Sequence, residues 1–241
     1  MSETYAFLGP SLPVAAAVRL LDCAYLPPVA VGDIYRLVRE ARPRRIAIID
    51  GYFERMAAVW HKEILWALER GVAVYGAASM GALRAAELAG FGMVGVGAVY
   101  RSYRSGRLTA DDEVAVVHGP AELGYPAMST ALVDLRAGLA RARRQGVVSV
   151  RSHDRLVARA AATFYRERSW EALVAAPELG AAERRRLTAF VAAGPPSAKA
   201  SDARTLLRRL AREPAPPRTR RAWRMERTWF WQRFAEIYDH E

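Results

Sequence analysis

The chain has 241 residues, 52% of them hydrophobic, and a formal net charge of +11. That length and apolar fraction allow one sizeable domain with a real core, plus an appendage. A single cysteine, Cys23, excludes a disulfide framework and a cysteine-based metal site and fits a reducing, cytoplasmic setting, while the first residues lack a signal-peptide pattern and no run nears the roughly 20 apolar residues of a membrane helix.

In chain order, Tyr5 to Leu8 reads as a first strand, ended by Gly9-Pro10-Ser11. Val14 to Leu21 reads as a helix, with Pro13 near its start where a missing N–H does no harm. Asp22 to Tyr25 is a second short strand, and Asp33, a plausible cap, opens a helix to about Ala41. After Pro43, the run Arg45-Ile46-Ala47-Ile48-Ile49 ends in Asp50-Gly51. So continuous an apolar run suits a central parallel strand covered on both faces. Asp50 then lies at its carboxyl end, the ligand side of such sheets.

Arg55 to Arg70 reads as a helix with Met56, Val59, Trp60, Leu65 and Leu68 as core contacts, stopped by Gly71. Next comes Val72-Ala73-Val74-Tyr75-Gly76-Ala77-Ala78-Ser79-Met80-Gly81, a strand and tight turn leading into a helix that carries Arg84 and Glu87. Phe91 to Gly97 holds a further strand or turn, and Ala98 to Tyr103 a short helix. Asp111-Asp112-Glu113 precedes the strand-like run Val114–Val117 and His118-Gly119. Ser129 to Arg144 is a helix, capped by Ser129 or Thr130.

The character changes after Gly146. Helical patterns cover about 152–175, 180–193, 200–212 and 219–239, separated by proline-rich breaks. Residues 1–140 are balanced in charge, so the whole basic excess lies beyond them; all basic residues but Lys62 and Lys199 are arginine. With no nucleic-acid motif beside it, that charge reads as a solvated face or a protein-docking surface rather than a nucleic-acid site. The last segment, with Trp223, Trp229, Phe230, Trp231, Phe234 and Tyr238, mostly packs onto the body. The expected fold is α/β, a mostly parallel sheet with helices on both faces over 1–146, plus an Arg-rich helical region over 147–241.

The chemistry centres on Ser79. A serine opening a helix after a strand caps it, binds an anion or acts as a nucleophile. A nucleophile elbow reads G-x-S-x-G; here Gly81 fills the second glycine position and Ala77 the first. Gly76, Ala77, Ala78, Gly81 and Ala82 suggest open space around the hydroxyl. His118 is the better-placed base by strand-end logic and His61 the second. Asp50, Lys62, Glu63, Gly76, Met80, Gly81, Arg84, Glu87, Asp111 and Asp112 are candidate binding residues around them. Arg84 and Glu87, i and i+3, read equally as a surface ion pair. The acidic cluster reads mainly as a helix start, and no metal or cofactor is expected. Neither G-x-G-x-x-G nor a P-loop is present, which argues against a standard nucleotide site.

Taken together, several pieces resemble the TfuA-like family over roughly 5–140. These are Phe7-Leu8-Gly9-Pro10-Ser11, Tyr25-Leu26-Pro27-Pro28 with Gly32-Asp33, Ile48-Ile49-Asp50-Gly51-Tyr52-Phe53, Trp60-His61-Lys62-Glu63-Ile64-Leu65, Gly76 to Leu88, Phe91-Gly92-Met93, Asp111 to Ala115 and His118-Gly119-Pro120. Ala78 departs from the family, where a second serine is common. The resemblance implies a partner for a YcaO-family enzyme, which activates a backbone amide with ATP. It implies thioamide formation in ribosomally made peptide products or in methyl-coenzyme M reductase. It also implies that sulfur comes from a thiocarboxylated sulfur-carrier protein, the peptide substrate being a further contact. A non-catalytic scaffold for the YcaO enzyme and an unrelated small-molecule α/β hydrolase are the alternatives.

Overall fold

A computed structural model of the chain describes residues 3–53, 57–219 and 221–239. Five strands form one sheet: β1 (Thr4–Phe7), β2 (Ala24–Leu26), β3 (Arg45–Ile48), β4 (Ala73–Ala77) and β5 (Val94–Val96). The order is β2-β1-β3-β4-β5 and every pairing is parallel. The α/β fold read from the sequence is therefore present, and β3, all four of whose residues are buried, is the central strand. The chain reverses direction across the sheet between β1 and β3, so the loops leaving these strands diverge and open a crevice at their carboxyl ends.

Helices α1 (Val14–Val18), α2 (Asp33–Glu40), α3 (His61–Glu69), α4 (Met80–Leu88) and α5 (Ala98–Arg104) belong to this part. Beyond them run α6 (Leu132–Arg144), α7 (Val150–Ala162), α8 (Trp170–Val174), α9 (Ala181–Ala192), α10 (Ala198–Arg212) and α11 (Trp229–Asp239). Helices α6 to α9 share a core of their own around Leu135, Leu139, Leu156, Trp170 and Leu187. The boundary read at 146/147 thus lies inside that cluster, between α6 and α7.

The two last helices return to the α/β part, α10 onto one face of the sheet and α11 onto the helices α2 and α3 that cover the other. Ala203, Leu206, Leu207 and Leu210 recur at helical spacing on α10 and pack on Ala6, Leu8, Ala47, Ile49 and Tyr75. Both ends of α10 are tied down. Near its start, Asp202 accepts from the Ala98 and Val99 N–H groups at 2.8 Å and so caps α5. At its end, the buried Arg45 side chain holds the Leu210 and Glu213 carbonyls at 3.0 and 2.6 Å. On the opposite face, Trp231 and Phe234 of α11 pack edge-on against Tyr35, with ring centroids 5.7 and 5.5 Å away. Trp229, Phe230 and Ile237 stay exposed. Among the described residues no helix is long and apolar enough to cross a membrane.

Several elements differ from the sequence reading for identifiable reasons. Helix α3 begins at His61 rather than Arg55, because Ala57 and Ala58 are drawn into pairing with Ala30 and Val31; Met56 lies outside the described residues. The pattern over 152–175 breaks after Ala162, where the Arg168 guanidinium takes the Ala160 and Thr163 carbonyls at 3.1 and 2.9 Å. Ser169 then caps α8. Helix α11 starts at Trp229, not 219, since the Lys62 ammonium holds the Glu226 carbonyl and the Thr228 hydroxyl and keeps that segment extended. Helix α6 starts at Leu132, because the Ser129 hydroxyl accepts from the Val117 N–H instead of capping it. The run Val114–Val117 does not join the sheet.

Candidate functional site

The β4–α4 turn is built as a strained elbow. Ala78 sits at φ 66°, a left-handed position that costs a non-glycine residue about 1–3 kcal/mol. The Ser79 N–H closes back on the Ala77 carbonyl at 2.8 Å, a γ-turn centred on Ala78. Ser79 then leads the chain into α4 and makes no side-chain cap hydrogen bond there. The capping reading of this serine is therefore not what the geometry provides. Its hydroxyl is buried and donates to the Val114 carbonyl at 3.4 Å. The Met80 N–H, in the first turn of α4, meets no protein acceptor among the described residues.

The glycines around the elbow do not leave open space. A Cβ on Gly81 would run into the Ile48 carbonyl oxygen, and one on Gly76 into the Gly81 carbonyl. Both allow α4 to lie directly on β3 and β4, and neither is among the residues lining the cavity over Ser79. This close approach fixes the height of Ser79 above the strand ends.

A second side chain reaches the same carbonyl. Lys199, 2% exposed on the first turn of α10, donates its Nζ to Val114 O at 2.9 Å. The Ser79 hydroxyl and the Lys199 amine thus share one acceptor. Asp50, 1% exposed, stands 4.0 Å from Lys199 Nζ. The Asp50 carboxylate accepts from Gly9 N at 2.9 Å, Ser11 N at 3.0 Å and Ser11 Oγ at 2.6 Å. It therefore ties the β1 loop to the end of β3 and closes the crevice where the strand order reverses. With Lys199 beside it, it also balances a buried positive charge.

Over this floor lies a cavity of about 460 Å³. Its base is Asp50, Gly51, Ser79 and Met80. Its roof is the 114–121 segment, and Tyr52, Phe53, Tyr125 and Tyr165 make much of the wall aromatic. His118 lines it, with ring centroids 5.4 Å from Tyr52 and 5.6 Å from Tyr125. His118 Nδ1 is 2.9 Å from the Gly119 carbonyl, which can only accept, so Nδ1 carries a proton. Burial and the Tyr125 hydroxyl push the Tyr52 phenol up to about 12, so it serves as a neutral hydrogen-bonding group. Asp111 lines the cavity too. Asp112 is held by Arg168 at 2.6 Å and Glu113 by Arg136 at 3.0 Å, so two of the three clustered acids lock the roof to the helical region.

The remaining candidates lie elsewhere. His61 pairs with Glu87 at 2.8 Å and stands 3.2 Å from Arg84, on a half-exposed surface. Burial raises the Glu87 carboxyl, but hydrogen bonds from His61 and Arg84 outweigh it and hold the group below the usual carboxylate range. Arg84 and Glu87 line a shallower cleft that meets the main cavity along Phe53, Met80, Leu83 and Asp111. Neither His61 nor His118 is hydrogen-bonded to Ser79. Lys62 is spent on the α11 strap.

Glu63, fully buried, caps α2: its carboxylate accepts from Gly32 N at 2.9 Å and Tyr35 N at 3.4 Å, and from Trp60 N at 3.1 Å. Burial dominates over these bonds and raises its carboxyl to about 7. The folded state then holds that proton more tightly than the unfolded chain does. Stability is greatest below the ordinary carboxylate range and falls as pH rises to about 7, by at most about 3 kcal/mol. Thermal denaturation between pH 5 and pH 8 measures this fall, and Glu63→Gln flattens it.

Lys199 was missed because it lies beyond the change in composition, in a region read as a solvated face. One signal was available: it is one of only two lysines among the basic residues. An amine can give up its proton, whereas a guanidinium in a protein cannot.

A family model described as TfuA-like protein matches residues 50–169. The match begins at Asp50 and takes in Ser79, the cavity roof and Tyr165; Lys199 lies outside it. A search of curated proteins returns no match.

Proposed function

As the chain belongs to the TfuA-like family, we propose that it supports YcaO-dependent backbone thioamidation by releasing sulfide from a thiocarboxylated sulfur-carrier protein. The observation that carries this reading is the buried Ser79 hydroxyl and Lys199 amine converging on one carbonyl, with Ser79 at the foot of the cavity. A serine hydroxyl and an amine brought to one acceptor supply the two components of an activated serine in which an amine takes the place of histidine as base.

Lys199 first releases to solvent the proton whose charge Asp50 balances at rest; the Ser79 hydroxyl then turns from Val114 O towards it, and the amine takes the hydroxyl proton. Ser79 Oγ then bonds to the thiocarboxylate carbon. The Met80 N–H, next after the nucleophile, holds the developing oxyanion. The C–S bond breaks, and the proton returns from Lys199 to the departing sulfur, which leaves as hydrosulfide. The carrier tail is left as an ester on Ser79. Water hydrolyses that ester to the carboxylate and restores the serine. Asp50 acts through Lys199 and the β1 loop. His118 and Asp111 face the bound tail from the cavity wall.

The test mixes purified protein with thiocarboxylated carrier, without the YcaO enzyme, and measures sulfide. The expected result is catalytic release by the native chain and, for Ser79→Ala, a fall of about 10³-fold or more. Equal release by both proteins would overturn the nucleophile assignment. No release by the native chain would leave a non-catalytic scaffold as the better reading.

A further inference from the structure

Ser79 and Lys199 open onto different cavities. The front cavity contains Ser79; a second one, also about 460 Å³, contains Lys199. Pro10, Val116 and Met128 line both, so the roof segment separates them. Their chemistry differs. The front wall is largely aromatic and aliphatic, whereas Ser11, Ser129, Thr130 and Asp134 face the rear space with Lys199. A space of this size and polarity suits several hydrogen-bonded waters.

Resting on the serine-ester reading above, we infer that the rear cavity is the water and proton port of the site. A carrier tail esterified to Ser79 occupies the front cavity and shuts off solvent from that side. The hydrolytic water then has to arrive past Lys199. It attacks the ester carbonyl and gives its proton to Lys199 Nζ. The bond from that carbon to Oγ breaks, Ser79 recovers the proton from Lys199, and the carboxylic acid leaves by the front. Sulfide formation and ester hydrolysis thereby use opposite doors, which keeps water away from the thiocarboxylate until sulfide has left.

The experiment fills the rear space at its far wall, with Val191→Trp and, separately, Thr130→Met. Neither residue is part of the catalytic machinery. Rapid-quench intact mass follows the ester between chain and thiocarboxylated carrier, and sulfide is measured in the first and later turnovers. The expected result is first-turnover sulfide within about 2-fold of the native chain, later turnover slowed at least about 10-fold, and accumulation of the ester. Hydrolysis at the native rate in both filled variants, or parallel loss of both steps, would overturn the inference. A crystal structure of the native chain gives a readout independent of the variants: ordered waters running from Lys199 Nζ to solvent are expected, and a dry rear cavity would contradict them. If the native chain itself forms no ester, the serine-ester reading fails and this inference with it, a result distinct from any seen in the filled variants.

Discussion

Lys199→Met is expected to lower sulfide release from the thiocarboxylated carrier by roughly 10³–10⁴-fold while leaving the chain folded. Methionine matches the length of the lysine stem and fills the same space between α10 and the roof. Its loss leaves Val114 O without the 2.9 Å amine donor and the buried Asp50 without its counter-charge, together a cost of about 3 kcal/mol that a Tm measurement reads separately from activity. Asp50 keeps its three other donors. The chemical loss is far larger, because among the described residues no other amine or imidazole is bonded to Ser79 or shares its acceptor. Serine and lysine acting as one unit also predict strong non-additivity: the Ser79→Ala/Lys199→Met double variant falls no further than either alone. Lys199→Arg keeps the positive charge but not the ability to take a proton, and loses activity to a similar extent. Retention of activity in that variant would mean that Lys199 acts only as a charge.

The largest stability effect is expected at Asp50. In Asp50→Ala, the Gly9 and Ser11 N–H groups and the Ser11 hydroxyl lose a buried acceptor, and Lys199 loses its counter-charge. Each buried donor left unpaired costs about 1–3 kcal/mol, and breaking a buried ion pair about 3–5 kcal/mol. These losses overlap, giving a total of about 4 kcal/mol and a fall in Tm of roughly 8–16 °C for a chain of this size. Asp50→Asn keeps the shape and one acceptor oxygen and should lose about half as much. Asp111→Asn, on an exposed side chain, should leave Tm unchanged and serves as the control. A Tm shift below about 2 °C for Asp50→Ala would mean that something else closes the crevice between β1 and β3.

The parts of this protein legible in its sequence are those governed by short-range pattern. The isoleucine-rich run ending in Asp50 marked the central strand because a strand buried on both faces has to be continuously apolar. The small residues flanking Ser79 marked the strand–turn–helix junction because helix and strand approach too closely there for larger ones. The purpose of that smallness was misread: backbone fills the space. The caps and tethers were less legible. Glu63, Lys62 and Ser129 are polar residues whose partners lie far away in sequence, and local spacing carries no trace of such pairs. The same holds for Lys199, which is 120 positions from Ser79 and reaches it only because α10 folds back across the sheet. Helix α10 itself carries a clear apolar stripe, but its net basic charge disguised a core helix as a solvated one.

The ester between Ser79 and the carrier tail can be observed directly. Native chain and thiocarboxylated carrier, mixed without the YcaO enzyme and quenched in acid at successive times, are read by intact mass and peptide mapping. The expected species is a transient conjugate equal to the two chains less one hydrogen sulfide, joined at Ser79, and absent from Ser79→Ala and Lys199→Met. Sulfide appearing with no conjugate at any time, or a conjugate mapped to another residue, would contradict it.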